Sequence, residues 1–215
     1  SYLGSTAALK YPASGEFLSP FVFGDWDGDG AQEAAALYTG DNAGSNVWLA
    51  ILESNESGSW RVSQTVEGLS SEVESVTCAH LSDADSQQII VGYGSAQGDR
   101  YVAVYRYLND TLHTIIKQNY SDMILANITG TEETQDLVLS LPTDAENSGV
   151  TLQLLTYVDG DFHSAQTLAV GAGLIERSSD QDTLRFTTAA GEVTIHAAPR
   201  VAHTNLDIKL QLLNA

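Results

Sequence analysis

Three observations predict an all-β fold built from a repeated four-stranded unit. Short apolar runs rich in Val, Ile, Leu and Tyr recur along the chain between clusters of Gly, Asp, Asn and Ser, the pattern of strands joined by turns. The runs also repeat over long distances: Tyr38 matches Tyr93 at an offset of 55, and Tyr107-Leu-Asn-Asp-Thr-Leu-His113 overlays Tyr157-Val-Asp-Gly-Asp-Phe-His163 at an offset of 50. Finally, Trp60, Leu112 and Phe162 each open a strand after a turn, 52 and then 50 residues apart. Four strands in a unit of roughly this length is the pattern of propeller blades. We therefore expect a β-propeller-like domain over residues 1–215, with about four four-stranded blades at 19–68, 72–120, 121–170 and 171–215.

A strand at 7–11 precedes the first unit and stops at Pro12. The first unit then offers strands at 21–23, 34–38, 46–53 and 60–66, with Asn55-Glu-Ser-Gly58 as the turn before the last. In the second unit the order repeats at 76–79, 89–93, 101–107 and 112–117, with Asn109-Asp110 in the turn. The third gives 123–128, 136–140, 150–157 and 162–168 around the turn Asp159-Gly160. The fourth is weaker, with strands at 172–176, 183–187, 192–197 and 206–212, the last supported by the period-two alternation Asp207-Ile-Lys-Leu-Gln-Leu212. Blades bury their sheets against one another, and radial closure leaves only short edges to protect. Four blades can close a ring. A partial ring exposes two blade faces and needs further blades or another chain to complete it.

The chemistry lies between the first two runs of the first unit, in Asp25-Trp-Asp27-Gly-Asp29-Gly-Ala31-Gln-Glu33. Alternate aspartates converge in a tight turn that Gly28 and Gly30 permit, Ala31 can offer its carbonyl, and Glu33 closes the segment at the ninth position. Such a set of oxygens suits a hard divalent cation. Helical Ca²⁺ loops share the alternating start, but close with Glu at the twelfth position between helices; here the flanks read as strands. The plainer alternative is an Asp/Gly-rich turn that holds no ion.

In this strand-loop-strand setting the loop resembles the D-x-D-x-D-G-x-x-[DE] element of FG-GAP (integrin α-chain-like, also VCBS-like) β-propeller repeats. The resemblance implies a Ca²⁺ ion between two strands of one blade, with Asp25, Asp27, Asp29, the Ala31 carbonyl and Glu33 as ligands. It also implies that the strand at 7–11 completes the last blade, and that the ring closes with roughly six to eight blades rather than four. The aligned loops have lost their carboxylates: His80, Ser82 and Ala84 stand in the second unit, and Asn127, Thr129 and Thr131 in the third. Asp83 and Asp85 remain as a displaced pair. One ion is expected, in the first unit, with a structural role, because a cage filled by protein oxygens leaves no open position for a substrate.

Composition narrows the function. Against 28 Asp and Glu stand 9 Lys and Arg, for a net charge of −19. Nucleic-acid affinity comes largely from Lys and Arg neutralising phosphates, so a nucleic-acid partner is excluded, while divalent cations and a basic partner are favoured. No run approaches the roughly 18–20 apolar residues of a membrane helix. The sequence starts at Ser1 without a charged-then-apolar leader, and we expect a cytosolic or already processed chain. Acidity, scarce cysteine and the cation loop fit a bacterial surface or secreted setting. The single cysteine, Cys78, sits in the apolar run Val76-Thr-Cys-Ala79 and reads as a small core residue. The sequons at Asn55, Asn109, Asn119 and Asn127 read as chance occurrences in a Ser/Thr-rich chain.

Enzyme motifs are missing. The five histidines, His80, His113, His163, His196 and His203, are too scattered for a zinc pattern, and there is no Walker loop, nucleophile elbow or dinucleotide fingerprint. Trp48 and Trp60 lie inside apolar strands and read as core. Trp26, between two predicted ligands, is expected to be exposed and available to a glycan or protein partner. The expected function is a non-enzymatic extracellular binding or adhesion module with one structural calcium loop. The alternatives are a propeller enzyme acting on polysaccharide, by hydrolysis or elimination, and a purely structural part of a larger surface protein.

Overall fold

The apolar runs fold into three antiparallel sheets, seen in a computed structural model that describes residues 3, 6–40, 46–55, 57–82, 85–109, 111–128, 134–142, 149–158 and 161–171. The first sheet contains β1 (Ala8–Leu9), β2 (Phe21–Gly24), β3 (Glu33–Thr39), β4 (Trp48–Ser54) and β5 (Trp60–Glu67). The second is a meander of β6 (Glu72–Ala79), β7 (Gln88–Gly94), β8 (Arg100–Leu108) and β9 (Thr111–Asn119). The third repeats it with β10 (Asp122–Ala126), β11 (Asp136–Leu141), β12 (Gly149–Val158) and β13 (Asp161–Gly171). Each of these sheets is open. Among the described residues no helix is long and apolar enough to cross a membrane. The unit expected at 171–215 lies, beyond Gly171, outside the described residues.

The repeat extends to a local irregularity. Each third–fourth strand pair carries a register shift, at Ile51/Leu52, Val104/Tyr105 and Leu154/Leu155. The shifts leave Ser63, Ile115 and Ala165 without a cross-strand partner, 52 and then 50 residues apart, the spacing of Trp60, Leu112 and Phe162. An extra residue in one strand raises the local twist, so all three sheets take the same twist at the same place.

Alternation along the strands gives each sheet two apolar faces, and the sheets stack through them. Ala35, Leu37, Leu49 and Ile51 of the first sheet meet Ile89, Val91, Ala103 and Tyr105 of the second. On the second sheet's other face, Ile90, Val102 and Val104 meet Leu137, Leu139 and Leu155 of the third. With a neighbour on each side, all seven residues of β7 are buried. The outward face of the first sheet carries Ala34, Ala36, Ala50 and Leu52 beside Phe21, Trp48 and Trp60, and Phe23, 56 % exposed, lies edge-on to Trp60 at 6.4 Å. On the outward side of the third sheet Ile124 is 59 % exposed, next to Val138, its cross-strand partner. No described sheet covers either face.

One expectation drawn from the family resemblance is corrected. The strand near residues 7–11 does not complete a last blade; β1 pairs with β3 in the first sheet, Ala8 opposite Thr39 and Leu9 opposite Tyr38. The cause is the shortness of β2, which pairs only with Glu33–Ala36 and leaves the end of β3 unpaired. β1 takes that edge, and the Lys10 N–H continues it by donating to the Leu37 carbonyl at 2.9 Å.

Between the first two sheets the hydroxyls of Tyr93 and Tyr105 lie 2.8 Å apart, both buried. Desolvation pushes the Tyr105 phenol up to about 12 and Tyr93 well above its ordinary value, so the pair remains neutral. Gly68 makes room: a Cβ there would stand 2.5 Å from the Tyr93 ring. Tyr93→Phe strands the Tyr105 hydroxyl and is expected to cost about 1–3 kcal/mol in urea unfolding. Combining Tyr93→Phe with Tyr105→Phe should lose less than the sum of the two single changes.

Candidate metal centre

The β2–β3 connection is the acidic loop. Gly28 and Gly30 adopt positive φ, +80° and +87°, and so turn successive N–H groups toward the carboxylates. Asp25 accepts from Gly28 N–H at 2.7 Å and from Gly30 N–H at 2.9 Å. Asp27 accepts from Asp29 N–H at 3.0 Å, and Asp29 from Ala31 N–H at 2.7 Å. Asp25, Asp27 and Asp29 are thereby brought together, each offering an oxygen within 4.8 Å of the others. Two oxygens bound to one Ca²⁺ at roughly 2.3–2.6 Å lie at most about 5 Å apart, so the three carboxylates fit a single ion of that size. Among the described residues this is the one cluster of three or more such side chains. Burial raises the Asp27 carboxyl above its ordinary value, and repulsion from Asp29 and Asp25 adds to the rise.

Glu33 stands outside that cluster. It is 5 % exposed, and its Oε2 accepts the Trp26 N–H at 2.8 Å. Desolvation, with repulsion from the three aspartates added, pushes its carboxyl up to about 7, against the lowering effect of the Trp26 hydrogen bond. The other sheets show what this position does. Gln88, fully buried at the head of β7, accepts from Leu81 N–H at 2.7 Å and Ser82 N–H at 3.0 Å. Asp136, buried at the head of β11, accepts from Ile128 N–H at 2.9 Å. A polar side chain at the start of each second strand thus anchors the loop that enters it. Sequence reasoning misses Gln88 and Asp136, although the signal is present: each of these strands is an apolar run headed by one polar residue, Glu33-Ala-Ala, Gln88-Ile-Ile and Asp136-Leu-Val.

Trp26 is the second correction. Its place between two aspartates predicts exposure, but it is 0 % accessible and packs in the core between the first and second sheets. Its backbone N–H is fixed by Glu33, and its ring folds back over Gly24, where a Cβ would lie 2.6 Å from ring carbon Cη2. A buried ring cannot stack on a partner at the surface, so Trp26 is removed from the ligand-binding candidates. The corresponding positions, Leu81 and Ile128, are apolar too; Leu81 is buried like Trp26, while Ile128, on the sheet with no further described neighbour, is 53 % exposed.

The loop also bridges two sheets. Asp25's carbonyl accepts from Gln87 N–H at 2.9 Å, and His80's carbonyl accepts from Gln135 N–H at 2.7 Å, the same link one sheet further on. The Asp85 backbone lies against Gly28. His80 and Asn127 therefore occupy the positions of Asp25 in their own loops, as the sequence alignment expects. Asp83, Ala84, Thr129 and Thr131 lie outside the described residues. No protein-family model matches this sequence, and no curated protein matches it.

Two outcomes follow from this geometry. In chelator-treated protein Glu33 binds its proton more tightly folded than unfolded, so its stabilising contribution is complete below pH about 4.5 and is lost as pH rises through about 7. Glu33→Gln retains an oxygen acceptor for Trp26 N–H, and should flatten the fall in denaturation midpoint across that window. Trp26→Ala should cost about 3–5 kcal/mol in chemical denaturation, as expected for deleting a buried aromatic ring; a loss near zero would return Trp26 to the surface.

Proposed function

We propose that this protein is a non-enzymatic binding or adhesion module of the FG-GAP/VCBS-like kind that works outside the cell. In this reading the stacked sheets are consecutive blades of a propeller-like ring, and the first loop holds one structural Ca²⁺. The observation that carries the reading is the convergence of Asp25, Asp27 and Asp29 in a loop whose neighbouring groups, the Trp26 ring and the Asp25 carbonyl, engage the next sheet. A cation there offsets the repulsion among three carboxylates and stiffens the wedge between two sheets. An all-oxygen donor set favours Ca²⁺ over Zn²⁺, which prefers nitrogen and sulfur. Partners, glycan or protein, meet the loops and clefts of the stack rather than the ion.

Phe23 and Ile124, exposed on the outward sides of the first and third sheets, favour a second reading, in which the chain is one structural part of a larger ring whose additional sheets cover them.

Calorimetric titration of chelator-treated protein with Ca²⁺, with melting followed in parallel, tests the cation. We expect one saturable site and a stabilisation of about 2.7 kcal/mol at a hundredfold excess over Kd, abolished in Asp27→Ala. No binding, or equal stabilisation of the variant, would falsify the calcium reading.

A further inference from the structure

A different feature lies along the first strands of the second and third sheets. The segment before β2 runs beside the open edge of β6: Ala13 N–H donates to the Val73 carbonyl at 3.0 Å, and Ser14 N–H to the Glu74 carbonyl at 2.8 Å. Between this segment, β6 and β10 lies a cleft of about 300 Å³. That volume is at the lower limit of small-molecule sites, roughly 300–1,000 Å³, and much larger than one metal ion requires.

Three carboxylates from three separate elements line the cleft: Glu16 from the segment, Glu74 from β6 and Asp122 from β10. Its single cationic side chain, Arg100, is already engaged. Nη2 of Arg100 lies 3.7 Å from Glu74 Oε2, and Nη1 donates to the Ser121 carbonyl at 3.0 Å. Glu16 and Asp122 have no ion-pair partner among the described residues. Asp122 accepts the N–H of Met123 at 2.9 Å, a bond that leaves its charge in place. Beside these charges, Val76, Met123 and Leu125 give the cleft an apolar wall. The whole protein, at −19, raises the local concentration of cations and repels anions.

We infer that this cleft binds an organic cation: a primary ammonium on an aliphatic chain, whose charge sits between Glu16 and Asp122 and whose methylenes lie on Met123 and Leu125. The inference rests on the reading of the protein as a binding module and names the ligand chemistry of that module. Inorganic phosphate is disfavoured by charge, and a neutral sugar draws no charge pairing from the two exposed carboxylates, whereas an ammonium does. The same ammonium chemistry occurs in a free polyamine and in a lysine side chain of a basic partner.

Met123 is the only methionine in the chain, so a methyl-¹³C-methionine label gives one NMR signal that reports from the cleft. The labelled protein is titrated with spermidine, with N-acetyl-lysine amide, with methyl glucoside and with sodium chloride at matched ionic strength. A saturable shift with spermidine, absent with the salt and weakened about tenfold in Glu16→Gln/Asp122→Asn, is the expected result. Binding of the lysine amide as well as spermidine assigns the site to a side chain of a basic partner; spermidine alone assigns it to free polyamines. A shift with methyl glucoside but not the amines, no saturable shift, or equal affinity in the double variant overturns the inference. Melting the same samples with and without Ca²⁺ tests the acidic loop separately, so failure of the cleft and failure of the cation loop are distinguishable.

Discussion

The second sheet has to bury both of its faces, and much of the architecture depends on how it does so. β7 has no solvent side, so its residues alternate between two cores rather than between core and water. The strand therefore reads as an unbroken run, Gln88-Ile-Ile-Val-Gly-Tyr-Gly94. Neighbouring sheets can approach only if their strands twist alike, and the bulge repeated in each third–fourth strand pair supplies the same twist to all three. The loops between first and second strands of the first two sheets then enter the junctions, where the Trp26 and Leu81 backbone N–H groups are cut off from water. A buried N–H without an acceptor costs free energy comparable to a lost hydrogen bond, and Glu33 and Gln88 meet that need; Asp136 makes the same bond in the third sheet.

This separates two jobs that the nine-residue motif runs together. Anchoring the loop belongs to the residue that heads the second strand, ninth in the first two loops and tenth in the third, and persists where no acidic cluster exists, because an amide or a short carboxylate accepts an N–H as well as Glu33 does. Collecting charge belongs to Asp25, Asp27 and Asp29, which among the described residues form the one such cluster. Bringing three carboxylates together is unfavourable without a counter-ion, and the rise in the Asp27 and Glu33 carboxyls expresses that repulsion together with burial. The arrangement persists because glycine N–H groups at positive φ bind Asp25 from the loop itself.

The two cation-favouring features differ in kind. The acidic loop draws its carboxylates from one short turn, close enough for a single ion. The cleft beside β6 draws Glu16, Glu74 and Asp122 from three elements spread over a larger space with an apolar wall. Compact spacing suits an ion stripped of water, and wide spacing beside methylenes suits an alkyl ammonium.

Strands, their repeat and the acidic turn are legible in the chain alone, because each depends on local spacing. Alternation makes a strand, Gly and Asp make a turn, and equal offsets between Trp60, Leu112 and Phe162 reappear as equal bulges. The remaining features depend on which residues meet across long separations, and folding alone settles them. Trp26, flanked by aspartates, reads locally as a surface ring, yet the approach of the second sheet seals it in the core. Glu33 reads as one more acidic ligand, and only the fold shows that its Oε2 also holds the Trp26 backbone N–H. β1 reads as a stray terminal strand until the shortness of β2 leaves it an edge on β3, and the cleft at Glu74 exists only because residue 14 and residue 122 are brought together beside the same strand.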